Sequence, residues 1–91
     1  MQDKAYFYII YSPKIDRFYI GSTTNIKHRI TQHNSGASNY TKGKGPWFLV
    51  YKETFTSINE ARKREKEIKK WKSRKRIIKT FSINISQYRD T

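Results

Sequence analysis

Six consecutive aromatic and β-branched residues, YFYIIY at positions 6–11, constrain the fold of this chain more than any other feature. A short run of this kind without a polar break is typical of a β-strand that is buried on both faces, or nearly so. The next five residues contain Pro13 and Asp16, which favour a turn. Residues 17–21, RFYIG, are typical of a second strand. We therefore predict a β-hairpin over residues 6–21.

The chain after the hairpin predicts a helix and then a strand. The helix is expected over about residues 25–35, with N-cap candidates at 22–24. Residues 37–46 are rich in Gly, Ser, Asn and Lys, and we expect them to form a polar, mobile loop. Residues 47–51, WFLVY, are predicted to form the third strand.

Two helices are predicted in the remainder of the chain. Ser57 and Glu60 fit a capping box that begins a helix ending near residue 71. Ser73 is a cap candidate for a further short helix, whose apolar residues would pack back onto the core. Residues 82–91 have no clear pattern and are expected to form a disordered, fraying tail. The prediction is a single domain over residues 1–81.

Positive charge dominates the composition. Twenty Lys and Arg residues against seven Asp and Glu residues give a formal net charge of +13, and eleven of the twenty fall within residues 62–79. Self-repulsion on this scale destabilises a compact chain unless an anionic partner relieves it. The candidate partners are nucleic acid, ribosomal RNA and an anionic membrane surface. A solvated helix face is the simpler explanation, but this density of charge favours nucleic acid.

The sequence also argues against several classes of protein. It contains no cysteine, which excludes disulfides, thiolate metal sites and a cysteine nucleophile. No apolar run approaches the roughly 18 residues that a membrane span requires. The first residues do not resemble a signal peptide. We expect a cytoplasmic protein, or a nuclear one in a host with a nucleus, that has no membrane partner.

An acidic residue interrupts the apolar stripe of the helix that begins after Ser57. Ile58, Ala61 and Ile68 follow helical spacing, and the remaining position of that stripe is occupied by Glu65 instead of an apolar residue. Burying a carboxylate is costly unless it is paired or binds a metal. An ion pair with a neighbouring Lys or Arg is one explanation. The other is a Mg²⁺ site, because Mg²⁺ often takes a single protein carboxylate and completes its shell with water and phosphate oxygens.

The hairpin and first helix resemble the GIY-YIG nuclease superfamily. Residues 7–9, FYI, stand at the first motif without its Gly and Ile, and residues 19–21, YIG, match the second motif intact. Arg29 and His33 have the spacing that the family shows, and Glu65 fits its downstream metal-binding glutamate. The chain looks most like the short, single-domain bacterial branch, over about residues 6–80.

This resemblance implies an α/β (α+β) fold, in which a three-stranded antiparallel sheet is flanked by three helices. It also implies a metal-dependent endonuclease that hydrolyses DNA phosphodiester bonds with the help of one Mg²⁺ or Mn²⁺ ion. Tyr8 and Tyr19 should then project from the same face of the sheet as cross-strand neighbours.

The resemblance further implies five catalytic side chains. Tyr19 would be the general base or would position the water, and Tyr8 would hydrogen-bond nearby. Arg29 would hold the scissile phosphate, because its planar guanidinium suits phosphate oxygens. His33 would donate to the phosphate or shuttle a proton, and Glu65 would hold the metal. The simpler alternatives are core packing for the tyrosines, a surface salt bridge for Arg29 and a structural histidine.

Contacts with DNA outside the catalytic centre are expected from the basic segment, from the polar loop and from the start of the first helix. Phosphate contacts of this kind carry no base preference. We therefore expect low sequence specificity, or specificity for branched or damaged DNA, and RNA is the weaker candidate. The residues predicted to bind nucleic acid are Ser22, Lys42, Lys44, Arg62, Lys69 and Lys72.

Two other functions remain open at this point. One is a DNA- or RNA-binding module of the same fold without catalysis, for which the incomplete first motif leaves room. The other is a basic structural protein of the ribosome or nucleoid, which would explain the charge but neither Glu65 nor the spacing of Arg29 and His33. An unidentified partner protein could supply targeting, and the chain is expected to be a monomer or a weak dimer.

Overall fold

A three-stranded antiparallel sheet with helices on both faces forms the protein, as a computed structural model that describes residues 4–89 shows. The strand order is β2-β1-β3, so the hairpin strand β2 lies at one edge. This arrangement confirms the predicted fold class. The strands are β1 (Ala5–Ser12), β2 (Arg17–Thr23) and β3 (Phe48–Phe55), and the helices are α1 (Ile26–Ser35), α2 (Ile58–Lys69), α3 (Arg74–Thr80) and a short 3-10 helix at Ile85–Tyr88.

Strand β1 lies at the centre of the sheet and is buried on both faces, as its apolar run predicts. Phe7 and Ile9 belong to one core cluster, which includes residues of α2 and α3. Tyr8 and Ile10 belong to a second cluster with Trp47, and α1 contributes to it from the opposite face. Because side chains alternate along a strand, a continuous apolar run is what such a two-sided core requires.

Helix α1 begins one residue later than the cap candidates at 22–24 allow. Its N-cap is Asn25, whose side chain accepts a hydrogen bond from the backbone N–H of His28 at 3.0 Å. Residues 22 and 23 belong instead to β2, which runs on to Thr23. The prediction of a cap at 22–24 was wrong because it ended the strand at Gly21. The caps of the later helices, Ser57 and Ser73, lie where they were predicted.

The chain beyond residue 81 packs more closely than a fraying tail. The side chain of Ile83 lies in the core with 7% exposure. Tyr88 stacks on Phe48, with 5.3 Å between the ring centroids. Residues 82–89 thus contribute to the core around the sheet. Their apolar side chains are spaced too irregularly to predict a helix or a strand, but they still pack against the rest of the core. Residues 90 and 91 of the predicted tail lie outside the described residues.

No helix within residues 4–89 is both long enough and apolar enough to cross a membrane.

Candidate active site

Tyr8 and Tyr19 project from the same face of the sheet, as predicted. Tyr8 pairs with Gly21 and Ile10 pairs with Tyr19, so the two tyrosines are diagonal rather than directly opposite neighbours. Their ring centroids lie 6.4 Å apart. Diagonal positions on one face remain within reach of large aromatic side chains. The register of the hairpin therefore brings the two phenols together.

Gly21 gives Tyr8 the space that its ring occupies. A Cβ atom at position 21 would lie 2.5 Å from the Tyr8 hydroxyl oxygen and 2.6 Å from Cζ, closer than real contacts allow. The ring of Tyr8 thus lies against the backbone of the edge strand. The glycine of the YIG motif is in the middle of β2 and makes room for Tyr8, rather than ending the strand as we expected.

His33 is buried, and both of its ring nitrogens have partners. Its Nε2 lies 2.8 Å from the Tyr8 hydroxyl and its Nδ1 lies 2.9 Å from Oγ1 of Thr41. Burial, followed by the nearby charge of Arg29, lowers the pKa of His33 to about 4. The imidazole is therefore neutral at physiological pH, with one nitrogen donating and the other accepting. This arrangement differs from the expected direct contact with phosphate and makes His33 a partner of Tyr8.

Thr41 is a member of this cluster that the sequence analysis missed. Its side chain is completely buried. Its carbonyl oxygen accepts hydrogen bonds from the Trp47 indole nitrogen and from the backbone N–H of Lys44, both at 3.2 Å. Ser12 also donates to the carbonyl of Lys44 at 2.5 Å. The loop that was expected to be mobile is thus held to the sheet and to α1, and nothing in its polar composition indicated this.

Arg29 lies on α1 beside both tyrosines. The pKa of Arg29 is raised, chiefly by interaction with the Tyr8 hydroxyl and also by Tyr19, despite partial burial. Burial raises the pKa of Tyr8 to about 12, although Arg29 opposes this effect. Tyr8 therefore remains a protonated phenol at neutral pH. Arg29 also donates to the Gln32 side chain at 3.1 Å, and its side chain is only partly buried.

Glu65 approaches β2 from the opposite face of the sheet, on α2. It accepts a hydrogen bond from Ser22 at 2.5 Å and forms an ion pair with Lys69 at 2.6 Å. Its side chain is 21% exposed. Its charge also contributes, as the smallest cause, to the raised pKa of Tyr8. Gly21 lies against the Tyr8 ring, and the next residue, Ser22, donates to Glu65. Two consecutive residues of β2 therefore connect Glu65 with Tyr8.

The oxygen atoms around Glu65 suit a single divalent ion. One carboxylate oxygen and the Ser22 hydroxyl are adjacent, and Mg²⁺ prefers oxygen ligands. Lys69 holds the other carboxylate oxygen and would have to release it to a metal. Among residues 4–89, no three His, Asp or Glu side chains come together as a metal-binding group. These residues therefore fit a metal that takes most of its ligands from water and phosphate.

The six predicted DNA-binding residues fall into three groups. Ser22, Arg62 and Lys69 surround Glu65 in a pocket of about 360 Å³. Lys42 and Lys44 are exposed in the loop that contains Thr41. Lys72 lines a separate pocket of about 630 Å³ between β2 and the pair α2 and α3. Cationic side chains thus lie on both sides of the edge strand.

Comparisons with known proteins agree with this fold. The family model described as the GIY-YIG catalytic domain matches residues 4–78. A UPF0213 protein of Staphylococcus haemolyticus is 43% identical over 75 residues, which cover 81% of this chain and 90% of that protein. A UPF0213 protein of Clostridium perfringens is 40% identical over 86 residues, or 91% of each chain.

A solved structure shows the same likeness. The solution NMR structure of UPF0213 protein BH0048 from Bacillus halodurans matches with a TM-score of 0.52 and 37% identity, over 85% of this chain and 81% of that one. The family match covers the strands, α1 and α2 that carry the candidate site. The chain is therefore a member of the GIY-YIG family, among small proteins related to UPF0213.

Proposed function

We propose that this protein is a metal-dependent endonuclease that hydrolyses phosphodiester bonds of DNA, with low sequence specificity or with specificity for DNA structure. The observation that carries this proposal is the cluster of Tyr8, Tyr19, Arg29 and His33 on one side of β2, with Glu65 on the other. Hydrolysis needs a cation for the phosphate, a group that activates water and stabilisation of the leaving oxygen. Arg29 is the proposed cation for the phosphate, and Tyr19 is the proposed group that activates water.

Arg29 is the proposed ligand of the scissile phosphate. Its planar guanidinium presents paired donors to phosphate oxygens and remains charged. Its partial burial among aromatic rings strengthens the electrostatic attraction relative to bulk water. The negative charge that develops on the phosphate oxygens would be stabilised there.

The two tyrosines are assigned different parts of the reaction. Water adds to phosphorus while the bond from phosphorus to the leaving sugar oxygen breaks, and the leaving oxygen takes a proton from solvent. As a phenolate, Tyr19 would take the proton of the attacking water; as a phenol, it would position that water through a hydrogen bond. Tyr8 stays protonated, because burial raises its pKa to about 12, and so acts through hydrogen bonds. His33 and Thr41 are positioning residues, since His33 holds the Tyr8 hydroxyl and Thr41 holds the His33 ring.

Glu65, with Ser22 beside it, is the proposed holder of Mg²⁺ or Mn²⁺. When bound, such an ion supplies Lewis-acid stabilisation of a phosphoryl oxygen. Ser22 fixes one carboxylate oxygen and so limits the rotation of the Glu65 side chain. The exposed cations around this pocket, including Arg62 and Lys66, would neutralise neighbouring phosphates of the DNA backbone.

A binding module without catalysis is the second candidate, and one contact favours it. The ammonium of Lys69 lies 2.6 Å from Glu65, so a charge already neutralises the carboxylate that the metal would need. The ion pair that one explanation of Glu65 predicted is thus present. Such a module would bind DNA or RNA through the same cations and never cut it.

A cleavage assay decides between the two candidates. Purified protein is incubated with supercoiled plasmid and with single-stranded and branched oligonucleotides in Mg²⁺ or Mn²⁺, with an EDTA arm. The endonuclease proposal expects cleavage that EDTA, Arg29→Ala and Glu65→Gln each abolish. Arg17→Ala and Glu60→Gln are matched controls that should cut like the wild type. Tight, salt-sensitive binding without cleavage of any substrate would support the binding module instead.

A further inference from the structure

An exposed aromatic ring lies directly beside Tyr19. The side chain of Tyr40 is 59% exposed, the highest value among the large apolar side chains of the described residues. Its ring centroid is 5.5 Å from that of Tyr19. An aromatic side chain gains nothing from solvent exposure, because its apolar area favours burial. Its place at the edge of the candidate site therefore suggests a ligand.

The structure holds Tyr40 in this exposed position. The next residue, Thr41, is completely buried and bonded to His33. The carbonyl of Lys44 accepts a hydrogen bond from Ser12 at 2.5 Å, which fixes the far side of the turn. The ring is thus presented to solvent by a backbone with contacts on the sheet and on α1. A preorganised ring loses little conformational freedom when a ligand binds.

A cation lies over the ring of Tyr40. The Lys44 ammonium is 4.5 Å from the ring centroid. Cation–π contacts at exposed sites are weaker than the stacking of a nucleobase on an aromatic ring. A base would therefore displace the flexible lysine from the ring. The released ammonium would then be free to bind the phosphate attached to that base.

We propose that Tyr40 is a stacking platform for an unpaired nucleobase of DNA, next to the phosphate held at Arg29. The inference rests on the proposed function, because that function places the scissile phosphate beside Tyr19. Bases within a duplex are already stacked on both neighbours and cannot reach a surface ring, whereas unpaired bases can. Tyr40 therefore selects DNA with unpaired nucleotides near the cleavage point. Stacking of this kind tolerates any base, in keeping with low sequence specificity.

Binding measurements without a metal test this inference separately from cleavage. Fluorescence anisotropy in EDTA gives the Kd for a single-stranded oligonucleotide and for the blunt-ended duplex that this oligonucleotide forms with its complement. Tyr40→Ala should weaken binding to the single strand by about tenfold and leave duplex binding within about twofold. Tyr40→Phe, which keeps the ring, should bind like the wild type. Phe48→Ala removes the other exposed aromatic ring and is the matched control.

A scan with abasic sites completes the test. In wild-type protein, an abasic site at one position should weaken binding by about tenfold, and the same site should cause no further loss in Tyr40→Ala. The inference is overturned if no abasic position matters, or if Tyr40→Ala weakens single-strand and duplex binding equally. Failure of the protein to cut DNA would refute the proposed function but would leave these ratios unchanged.

Discussion

The hydroxyl of Tyr8 and Nε2 of His33 lie 2.8 Å apart, and this hydrogen bond holds the phenol that faces Arg29. The bond joins the central strand to α1 across the candidate site. The other nitrogen of His33 continues the chain of contacts to Thr41 in the following loop. A single buried imidazole thus fixes a strand, a helix and a loop relative to one another.

The stability of the fold should decrease between pH 6.5 and about pH 4 because of His33. Burial is the main cause that lowers its pKa from 6.5 to about 4. Within that window the unfolded chain takes up a proton that the folded chain does not, so the contribution is complete above pH 6.5 and is lost progressively toward pH 4. The expected loss is on the order of 3 kcal/mol in the free energy of unfolding.

Urea denaturation from pH 7 to pH 4.5 measures this effect. His33→Gln should flatten the pH dependence, whereas His28→Gln, a change of an exposed residue on the same helix, should leave it intact. Asp16, whose pKa is lowered to about 2 chiefly by its hydrogen bond with Arg74, titrates below the window. Equal slopes in wild type and His33→Gln would contradict the assignment.

Removal of the Thr41 hydroxyl should destabilise the fold and loosen the histidine. Thr41→Val keeps the shape of the side chain but leaves Nδ1 of a buried imidazole without a partner, at a cost of roughly 1–3 kcal/mol. Thr41→Ser keeps the hydroxyl and should retain most of the stability. The ¹⁵N chemical shifts of the His33 ring should move in the valine variant alone. Unchanged stability and unchanged shifts would show that this hydrogen bond is unimportant.

Gly21→Ala should cost roughly 1–3 kcal/mol, as overpacked side chains do in a core. The added Cβ would meet the Tyr8 ring, with 2.5 Å to its hydroxyl oxygen. Removal of that ring by Tyr8→Ala should remove most of this cost, so the two changes should be non-additive in denaturant unfolding. Strict additivity would mean that the glycine serves another purpose.

DNA affinity should depend strongly on salt, because the basic segment neutralises phosphates. If about five contacts form on duplex DNA, log K should fall with log salt at a slope of roughly −4 to −5. Arg62→Gln and Lys72→Gln should each reduce that slope by about 0.9 if each contacts one phosphate. Lys52→Gln, on the far edge strand β3, is the control. If none of these changes affects the slope, the DNA binds to another surface of the protein.

Local patterns predicted the elements well because each is specified by neighbouring residues. The YFYIIY run predicted a strand buried on both faces, and the Ser57 and Ser73 caps lie where predicted. The ion pair of Glu65 with Lys69 could also be predicted from the sequence, because residues four apart on a helix are neighbours. The family resemblance, rather than any local pattern, implied that Tyr8 and Tyr19 share one face of the sheet, as they do.

The features that were missed depend on contacts between distant segments. Thr41 is significant only because the loop folds back onto His33, and no local pattern marks it. Gly21 is needed within β2 because the ring of Tyr8, on the neighbouring strand β1, lies against it. Ile83 reaches the core after the turn at residues 81–82, where Ser82 has a φ of 53°, and no apolar period marks it. Such tertiary contacts cannot be obtained from the periodicity of one segment.

In the proposed reaction, Arg29 on α1 and Glu65 on α2 act on the same phosphodiester from opposite sides of β2. Single-turnover cleavage rates at saturating DNA and Mg²⁺ test it most directly, with Arg29→Ala, Glu65→Gln and the double variant. Each single change should lower the rate by at least about a hundredfold, and the double variant should be little slower than the slower single one, because groups that act as a unit are not additive. A wild-type rate in either single variant would contradict the claim.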